Sequence, residues 1–381
     1  MHENSLIMTL RHIRRFSTFI ITLMTCQYAY ATESIAPAIL NGTATALSSI
    51  PYQARLSIAK STSGGTVYYL CGAALIDDGV AITAAHCVDS DHTETLISVT
   101  VYYMDYTSPS SPVLNSVTIP ESSVDVHPTW DGSLDTSHDI AVLYDTGASF
   151  TNAKKIKIAS SAEMSTMFTQ FSNSYVANQD NEPNVQASGY GEDENGNSGS
   201  LERVLLAGIP SSTCRDIKAS VTINYDDYLC VQSPVQSINY GICRGDSGGP
   251  LVWRNPSNAS DSDYGVRLVG VASYVTTSGG LCKLNGSSYF GAYSNVPYYR
   301  SYINNAVDSL AYTLNYDYAT LSISYAFDSD PILGSSLNIN PDSDDSDDSS
   351  SGGGSLGLLA ILLLTLVAYR RHAFDTIKPM S

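Results

Sequence analysis

The 381-residue sequence is poor in positive charge, in metal-binding patterns and in long helical repeats. Lysine and arginine number 19 against 37 aspartates and glutamates, and the formal net charge is −18. A chain this acidic repels phosphate backbones, which argues against nucleic-acid binding. No Cys-x-x-Cys or His-x-x-x-His spacing occurs, so we expect neither a metal site nor a cofactor.

Short strand-like runs take the place of helical periodicity between residue 39 and about residue 303. They alternate with clusters of Gly, Ser, Asn and Asp, which are typical of turns. This pattern predicts an all-β domain built from closed barrels, which leave no open sheet edge. The clearest of these runs are 52–58, 67–70, 99–103, 204–206 and 267–275.

The first 31 residues have the pattern of a signal peptide. Basic residues precede an apolar run at 19–24, and Ala29-Tyr30-Ala31 fits the small-x-small cleavage rule. We therefore predict export, with signal peptidase as a processing partner. A lipoprotein signal ending at Cys26 is the alternative, although the residues before this cysteine match it poorly. The apolar run is too short for a retained membrane anchor.

The C-terminal part divides into three segments. Residues 305–340 are predicted to form a short β-rich extension or stalk, because residues 311–327 within them alternate Tyr, Leu and Ile. Residues 341–355 contain Asp, Ser and Gly after a proline and read as a linker. Residues 356–371 are apolar with a basic end; about 14 helical residues rise about 21 Å, short of a bilayer core of about 30 Å. This last segment is predicted to be a C-terminal hydrophobic helix.

Three short strings carry the chemistry of the chain. Residues 83–87 contain His86, residues 137–143 contain Asp139, and residues 243–250 contain Ser247 within the string Gly-Asp-Ser-Gly-Gly-Pro. A serine hydroxyl becomes a good nucleophile only when a base removes its proton. A histidine can be that base, and an aspartate can fix its tautomer and offset its charge.

The order His, Asp, Ser and the flanking residues resemble the trypsin/chymotrypsin family of serine endopeptidases. The resemblance covers residues 39 to about 303. It implies two six-stranded antiparallel β-barrels, an active site in the cleft between them and a short C-terminal helix that begins near residues 299–303. Protein or peptide substrates and a monomeric enzyme are expected.

The resemblance also assigns roles around the nucleophile. The backbone amides of Gly245 and Ser247 would form the oxyanion hole. Cleavage before Ile39 would remove a propeptide at 32–38 and create an N-terminus that pairs with Asp246. Because Ala38 precedes the junction, activation by a trypsin-like enzyme is not expected, and we hypothesise self-activation. The implied disulfides are Cys71–Cys87, Cys214–Cys230 and Cys243–Cys282, whereas spacing alone leaves the pairing open.

The expected specificity is for small or medium apolar side chains. Gly241 stands where trypsin-like members carry an aspartate, and Gly291 supplies no replacement carboxylate, so a substrate cation would be unpaired. Ile242 and Val275 should narrow the pocket, with an aromatic preference as the alternative. Two further residues belong to the substrate-pairing strand by resemblance, Ser273, which should bond Asp139, and Tyr274, where the family usually has Trp.

Two readings of the tail and one rival function stay open. The tail resembles the GlyGly sorting tail of Gram-negative exported proteins, which a rhomboid-type protease trims. The protein would then be secreted or surface-associated after transient inner-membrane anchoring by way of the export machinery. The alternative is a permanent anchor and a membrane-tethered processing protease. The rival function is a non-catalytic adhesin with the same fold, against which the intact triad argues.

Overall fold

The computed structural model describes residues 39–91, 93–132, 138–145, 147, 149–193, 198–217, 226–275, 290–313 and 325–333. Most of the regular structure in these ranges is β-strand. In chain order the strands are β1 (Thr43–Ala44), β2 (Gln53–Thr62), β3 (Gly65–Asp77), β4 (Val80–Thr83), β5 (Thr95–Asp105), β6 (Val113–Pro120), β7 (Val124–Val126), β8 (Ala141–Tyr144), β9 (Lys157–Ile158), β10 (Val185–Gly189), β11 (Glu202–Ile209), β12 (Tyr228–Gln232), β13 (Pro250–Arg254), β14 (Val266–Val275) and β15 (Phe290–Asn295). The described helices are α1 (Ala85–Val88), α2 (Ser161–Ser174), α3 (Ser211–Ile217) and α4 (Arg300–Thr313).

The first sheet is a half-barrel of seven antiparallel strands in the order β6-β5-β2-β3-β4-β8-β7. In β5 the side chains alternate between buried and more exposed positions, because successive residues of a strand point to opposite faces. The inward-facing residues, among them Leu56, Val101 and Leu143, form one apolar core.

The second sheet closes into a six-stranded barrel. The strands β11, β10, β13, β14, β15 and β12 pair in that order, and β12 pairs again with β11. The short strand β1 adds to β11, and β9 runs parallel to β14. Trp253, Leu206 and Tyr293 are buried inside this barrel. The predicted all-β fold with a short C-terminal helix is confirmed, and this sheet is one of the two predicted six-stranded barrels. The other predicted barrel is instead a half-barrel of seven strands, because β6 and β7 at its two ends do not pair with each other.

A third apolar cluster joins the two sheets and the C-terminal helix. It contains Tyr52 and Ile82 from the first sheet side, Val271 from the closed barrel and Ile303 from α4. Burying one large apolar side chain contributes about 1.5–3 kcal/mol, so this shared cluster holds the two sheets against each other. The packed interface between the two sheets therefore fixes their relative position.

Helix α2 is absent from the sequence-based prediction. Its N-terminus has a capping box, in which Ser160 accepts from the backbone of Glu163 and the Glu163 side chain accepts from the backbone of Ser160. Met164, Met167 and Phe171 are buried on one face. Their spacing of three and four residues is that of a helix packed on a core.

The β-rich extension predicted for residues 305–340 is wrong for its first part, because α4 continues to Thr313. Ala306, Val307 and Leu310 are buried, and with Ile303 they recur at the three- and four-residue spacing of one helix face. Residues 325–333 contain no strand. The predicted segments at 1–31, 32–38, 341–355 and 356–371 lie outside the described residues. Within the described ranges no helix is long and apolar enough to cross a membrane.

Residues 325–333, which we call the strap, pack against Tyr52 beside the first sheet and against strands β10 and β13 of the closed barrel. The ring of Phe327 lies 5.6 Å from that of Tyr52, and the Phe327 N–H donates to Ser262. The guanidinium of Arg254 donates to both carboxylate oxygens of Asp330 at 2.7 Å. The strap is therefore held by an aromatic contact and by an ion pair in which one Arg254 nitrogen bonds both oxygens of Asp330.

Candidate active site

His86 lies on the one-turn helix α1, directly after strand β4. The disulfide between Cys71 and Cys87 ties this turn to β3. The hydroxyl of Thr83 donates to the carbonyl of Gly72 at 2.8 Å and fixes the strand end before the helix. The His86 side chain is 25% exposed, so one side of its imidazole faces the cleft.

Asp139 is fully buried and accepts hydrogen bonds on both carboxylate oxygens. Its Oδ1 accepts from the His86 backbone N–H at 2.9 Å, and its Oδ2 lies 2.9 Å from His86 Nδ1. The Ser273 hydroxyl donates to the same Oδ2 at 2.5 Å. When Nδ1 carries the proton, Nε2 is left with a free lone pair, which is the tautomer that a general base requires.

The electrostatics of this pair favour the ionised carboxylate. Burial raises the pKa of Asp139, but the His86 charge and the hydrogen bonds outweigh burial and hold that pKa below its usual value. Burial likewise disfavours the charged imidazole, yet Asp139 outweighs it and raises the pKa of His86 above 6.5. Both shifts come from the same short contact.

The backbone immediately before Asp139 is strained. His138 has a φ of 78°, which lies in the left-handed region of the backbone map. Residues other than glycine occupy this region at a cost of about 1–3 kcal/mol. Its N–H donates to the hydroxyl of Tyr299 at 2.9 Å, and its ring stacks on that of His127 at 4.6 Å. Burial and the neighbouring His138 lower the pKa of His127 to about 4. These contacts hold the turn that directs Asp139 towards His86.

Ser247 lines the same cleft pocket as His86, together with Leu70 and the disulfide of residues 71 and 87. Its carbonyl accepts from Gly72 N–H at 2.7 Å, and Gly248 N–H donates to Ala272 at 2.7 Å. Gly245 has a φ of +92° and Gly248 a φ of +75°, which side chains rarely adopt. A Cβ on Gly245 would lie 2.9 Å from the backbone of Gly191.

Asp246, which directly precedes Ser247 on the same loop, is fully buried. It accepts hydrogen bonds from the backbone N–H groups of Gly191 at 2.7 Å and Cys243 at 2.8 Å. Burial raises its pKa to about 8, although these two hydrogen bonds act in the opposite direction, and Glu202 raises it further. Asp246 thus links the loop that carries Gly191 to the loop that carries Ser247.

Ile39 is also fully buried, and its backbone N–H donates to Glu202 Oε2 at 3.0 Å. The next residue, Leu40, forms an isolated β-bridge with Gly241. The residues predicted to become the N-terminus therefore already lie against a wall of the predicted specificity pocket.

The predicted pocket residues lie on neighbouring strands. Val275 pairs directly with Gly291 across β14 and β15, and a register irregularity falls between Ala272 and Tyr274, at Ser273. Ile242 is buried and shares its apolar cluster with Val275. Cys214 is bonded to Cys230. Cys243 is disulfide-bonded, and Cys282, the partner expected for it, lies outside the described residues.

Comparison with known proteins matches the trypsin family model to residues 39–303, about two thirds of the chain. The chain belongs to the trypsin family. This trypsin-family chain is 29% identical to trypsin-1 of Astacus astacus over 71% of its own length and 100% of that protein. It is 25% identical to the fibrinolytic enzyme isozyme C of Lumbricus rubellus (70% and 99% covered) and 27% identical to the chymotrypsin-like elastase family member 1 of Bos taurus (71% and 90%). It is a serine endopeptidase.

Two polar residues of this trypsin-family site were missed by the sequence analysis. Glu202 contacts Ile39 although 163 positions separate them. The Ser294 hydroxyl donates to the backbone carbonyl of Asp139 at 2.6 Å from 155 positions away. Neither lies in a motif, and strand pairing over long range brings both to the site, so no local signal could have found them.

Proposed function

We propose that this serine endopeptidase hydrolyses peptide bonds with His86, Asp139 and Ser247 as its catalytic triad. The observation that carries the proposal is the two-point contact of Asp139 with the backbone and the ring of His86, beside a pocket that His86 and Ser247 both line. These two bonds fix the orientation of the imidazole, which a purely structural aspartate would not require of a partly exposed histidine. The arrangement is that of a base oriented by a buried carboxylate.

In the proposed reaction the Ser247 Oγ attacks the carbonyl carbon while His86 Nε2 takes its proton. The backbone N–H groups of Gly245 and Ser247 would bind the resulting oxyanion; removal of one such donor costs about 3–4 kcal/mol of transition-state stabilisation in related chemistry. The imidazolium then gives its proton to the leaving amine as the C–N bond breaks. Water, activated by the same imidazole, hydrolyses the acyl-enzyme.

We propose that the chain is a zymogen activated by cleavage between Ala38 and Ile39. Burial raises the pKa of Asp246 to about 8, and no ion pair among the described residues includes this carboxylate. A new ammonium at Ile39 would supply positive charge where Ile39 already lies buried. Charging Asp246 in this way would stabilise the loop that presents the oxyanion-hole amides.

Substrate preference is proposed to be small or medium apolar at the residue before the scissile bond. The described pocket wall supports this, because Val275 stands directly across from Gly291 and packs with the cluster of Ile242. Positions 241 and 291 are both glycine, so neither supplies a carboxylate that could bind a positively charged substrate side chain. Chymotrypsin-like aromatic preference is the alternative. Ala38 would itself suit a small pocket, which favours self-activation in trans.

The proposal extends to export and to the fate of the C-terminal tail. Signal peptidase would remove residues 1–31, and a rhomboid-type protease would trim or leave the segment at 356–371. Protein substrates, a monomeric state and a secreted or surface location in a Gram-negative bacterium belong to the same hypothesis. Mass spectrometry of the exported species decides between release and anchoring, since trimming removes all residues after the glycines at 352–354.

A fluorophosphonate probe tests the triad directly. The full chain, with an exogenous protease site placed immediately before Ile39, should label at Ser247 after cleavage and label far less before it. The Ser247→Ala variant is the matched control and should not label. A cleaved wild-type protein that stays unlabelled would exclude the triad and favour a non-catalytic adhesin. A peptide library on the cleaved enzyme then measures the pocket preference.

A further inference from the structure

Two buried carboxylates lie near Ile39. Glu202 accepts from the Ile39 N–H and pairs with Gly189 between β11 and β10, and the Asp246 carboxylate lies against the same Gly189. Glu202 is 2% exposed and Asp246 is 0% exposed. Among the ion pairs of the described residues, none includes either carboxylate. A buried carboxylate without a cation is costly, so two of them at one place require an explanation.

The geometry gives Glu202 the first contact with the Ile39 nitrogen. Its Oε2 accepts from that nitrogen at 3.0 Å. Asp246 instead uses both oxygens on the backbone N–H groups of Gly191 and Cys243. A Cβ on Gly42 would lie 2.6 Å from Glu202 Oε2 and 2.8 Å from Ile39 Cβ, so only glycine at that position allows the close approach.

Cleavage before Ile39 would turn this nitrogen from an amide into an ammonium without moving it from Glu202. One cation would then face two carboxylates, one of which already satisfies its oxygens with backbone donors. We propose that Glu202 is a positioning residue that receives the Ile39 ammonium, so that the new N-terminus is held by Glu202 and Asp246 together. This inference rests on the proposed activation by cleavage before Ile39.

The measurable consequence is the alkaline limit of activity. An opposite charge within hydrogen-bond distance raises the pKa of an ammonium, and a second one raises it further. The active form is lost when the ammonium gives up its proton. The wild-type enzyme should therefore stay active to a higher pH than a variant with one carboxylate removed.

Other titratable groups near the pair do not account for such a limit. Arg203 follows Glu202 but donates to the Pro331 carbonyl of the strap, and Arg244 precedes Gly245 on an exposed loop. Glu192 and Asp193 directly follow Gly191 in the chain. Tyr240 packs against the apolar cluster that contains Ile39, and burial raises the pKa of Tyr190, the residue before Gly191.

The test compares cleaved wild-type enzyme with cleaved Glu202→Gln, which keeps the shape of the side chain. Active sites are titrated with a fluorophosphonate from pH 6 to pH 11. We expect the alkaline limit of E202Q to fall by about one pH unit or more, so that labelling well above that limit drops about tenfold. Glu202→Asp keeps the charge but draws it back from Ile39 by one methylene, so its limit should fall between those of E202Q and the wild type.

Glu163→Gln is the matched control, because Glu163 is a partly buried carboxylate whose side chain bonds Arg267, Asn255 and the Ser160 N–H instead of Ile39. Its alkaline limit should equal that of the wild type. An E202Q limit equal to the wild type overturns the role of Glu202 alone, whereas a cleaved wild-type enzyme that never labels overturns the proposed function. Should E202Q fail to fold, the acetylation rate of the Ile39 amine decides: faster reaction in E202D than in the wild type supports the role, and equal rates refute it.

Discussion

Removal of the Ser273 hydroxyl should raise the pH at which the enzyme loses activity in acid. Ser273 Oγ donates at 2.5 Å to Asp139 Oδ2, the oxygen that also lies 2.9 Å from His86 Nδ1. In Ser273→Ala this oxygen has one donor fewer, so more of its negative charge acts on the imidazole. The pKa of His86, already raised by Asp139, should rise further.

The size of the shift follows from the value of the lost hydrogen bond. A hydrogen bond to a charged group contributes about 1.5–3 kcal/mol, and one pKa unit corresponds to about 1.4 kcal/mol. If about half of this energy reaches the imidazole, the His86 pKa rises by roughly half a unit to one unit. A general base must be neutral, so activity falls as the pH drops through this pKa. The acid limb of S273A should therefore move to higher pH.

The assay is kcat/KM against pH for the cleaved enzyme, since this ratio reports the free enzyme's essential base. Ser294→Ala is the matched control, because Ser294 bonds the backbone carbonyl of Asp139 and not its carboxylate. Its acid limb should stay at the wild-type position although its stability falls. An unchanged limb in S273A, or an equal shift in S294A, would refute the electrostatic reasoning.

Three further predictions concern stability and the nucleophile loop. Glu163→Gln should lower the free energy of unfolding by about 2 kcal/mol, because Glu163 lies 2.6 Å from Arg267. Backbone and side-chain hydrogen bonds outweigh burial and lower the Glu163 pKa to about 2. The stability that Glu163 contributes is therefore present above pH 4.5 and is lost as the pH falls towards 2. Thermal melting against pH should show this acid loss in the wild type and not in E163Q. Replacing both Cys71 and Cys87 by serine should cost about 3 kcal/mol in denaturant unfolding, the value for a loop with a sequence separation of 16. Gly248→Ala should lower probe labelling at least about tenfold while the protein stays folded by circular dichroism, because its φ is +75° and the new Cβ would lie 2.5 Å from the backbone oxygen of Gly72.

Local motifs explain how much of the fold and the site could be predicted. The strings around His86, Asp139 and Ser247 each hold the turn chemistry and the reactive side chain within a few residues, so the sequence predicts them directly. The alternating runs likewise predicted strands such as β5 and β14. Helix α2 was missed, although the capping box of Ser160 and Glu163 is a local signal that indicates it.

Contacts between distant residues explain what could not be predicted. Glu202 meets Ile39, and Ser294 meets Asp139, only after the barrel strands have paired. Helix α4 continues into the segment that was predicted to be β-rich, as far as Thr313. Its residues Ile303, Ala306, Val307 and Leu310 belong to the apolar cluster that the two sheets share, and no single-sequence pattern contains that cluster.

The strap extends the folded enzyme beyond residue 303, where the match to the trypsin family ends. Gln186 of β10 donates to Pro331 and accepts from Leu333, so the seat of the strap is lined by polar groups as well as by Tyr52. A gene shortened to residue 303 would open that seat to water and leave Arg254 without Asp330. A chain that ends at Leu333 keeps all of these described contacts, so residues 325–333 belong to the folded unit although the family match ends at residue 303.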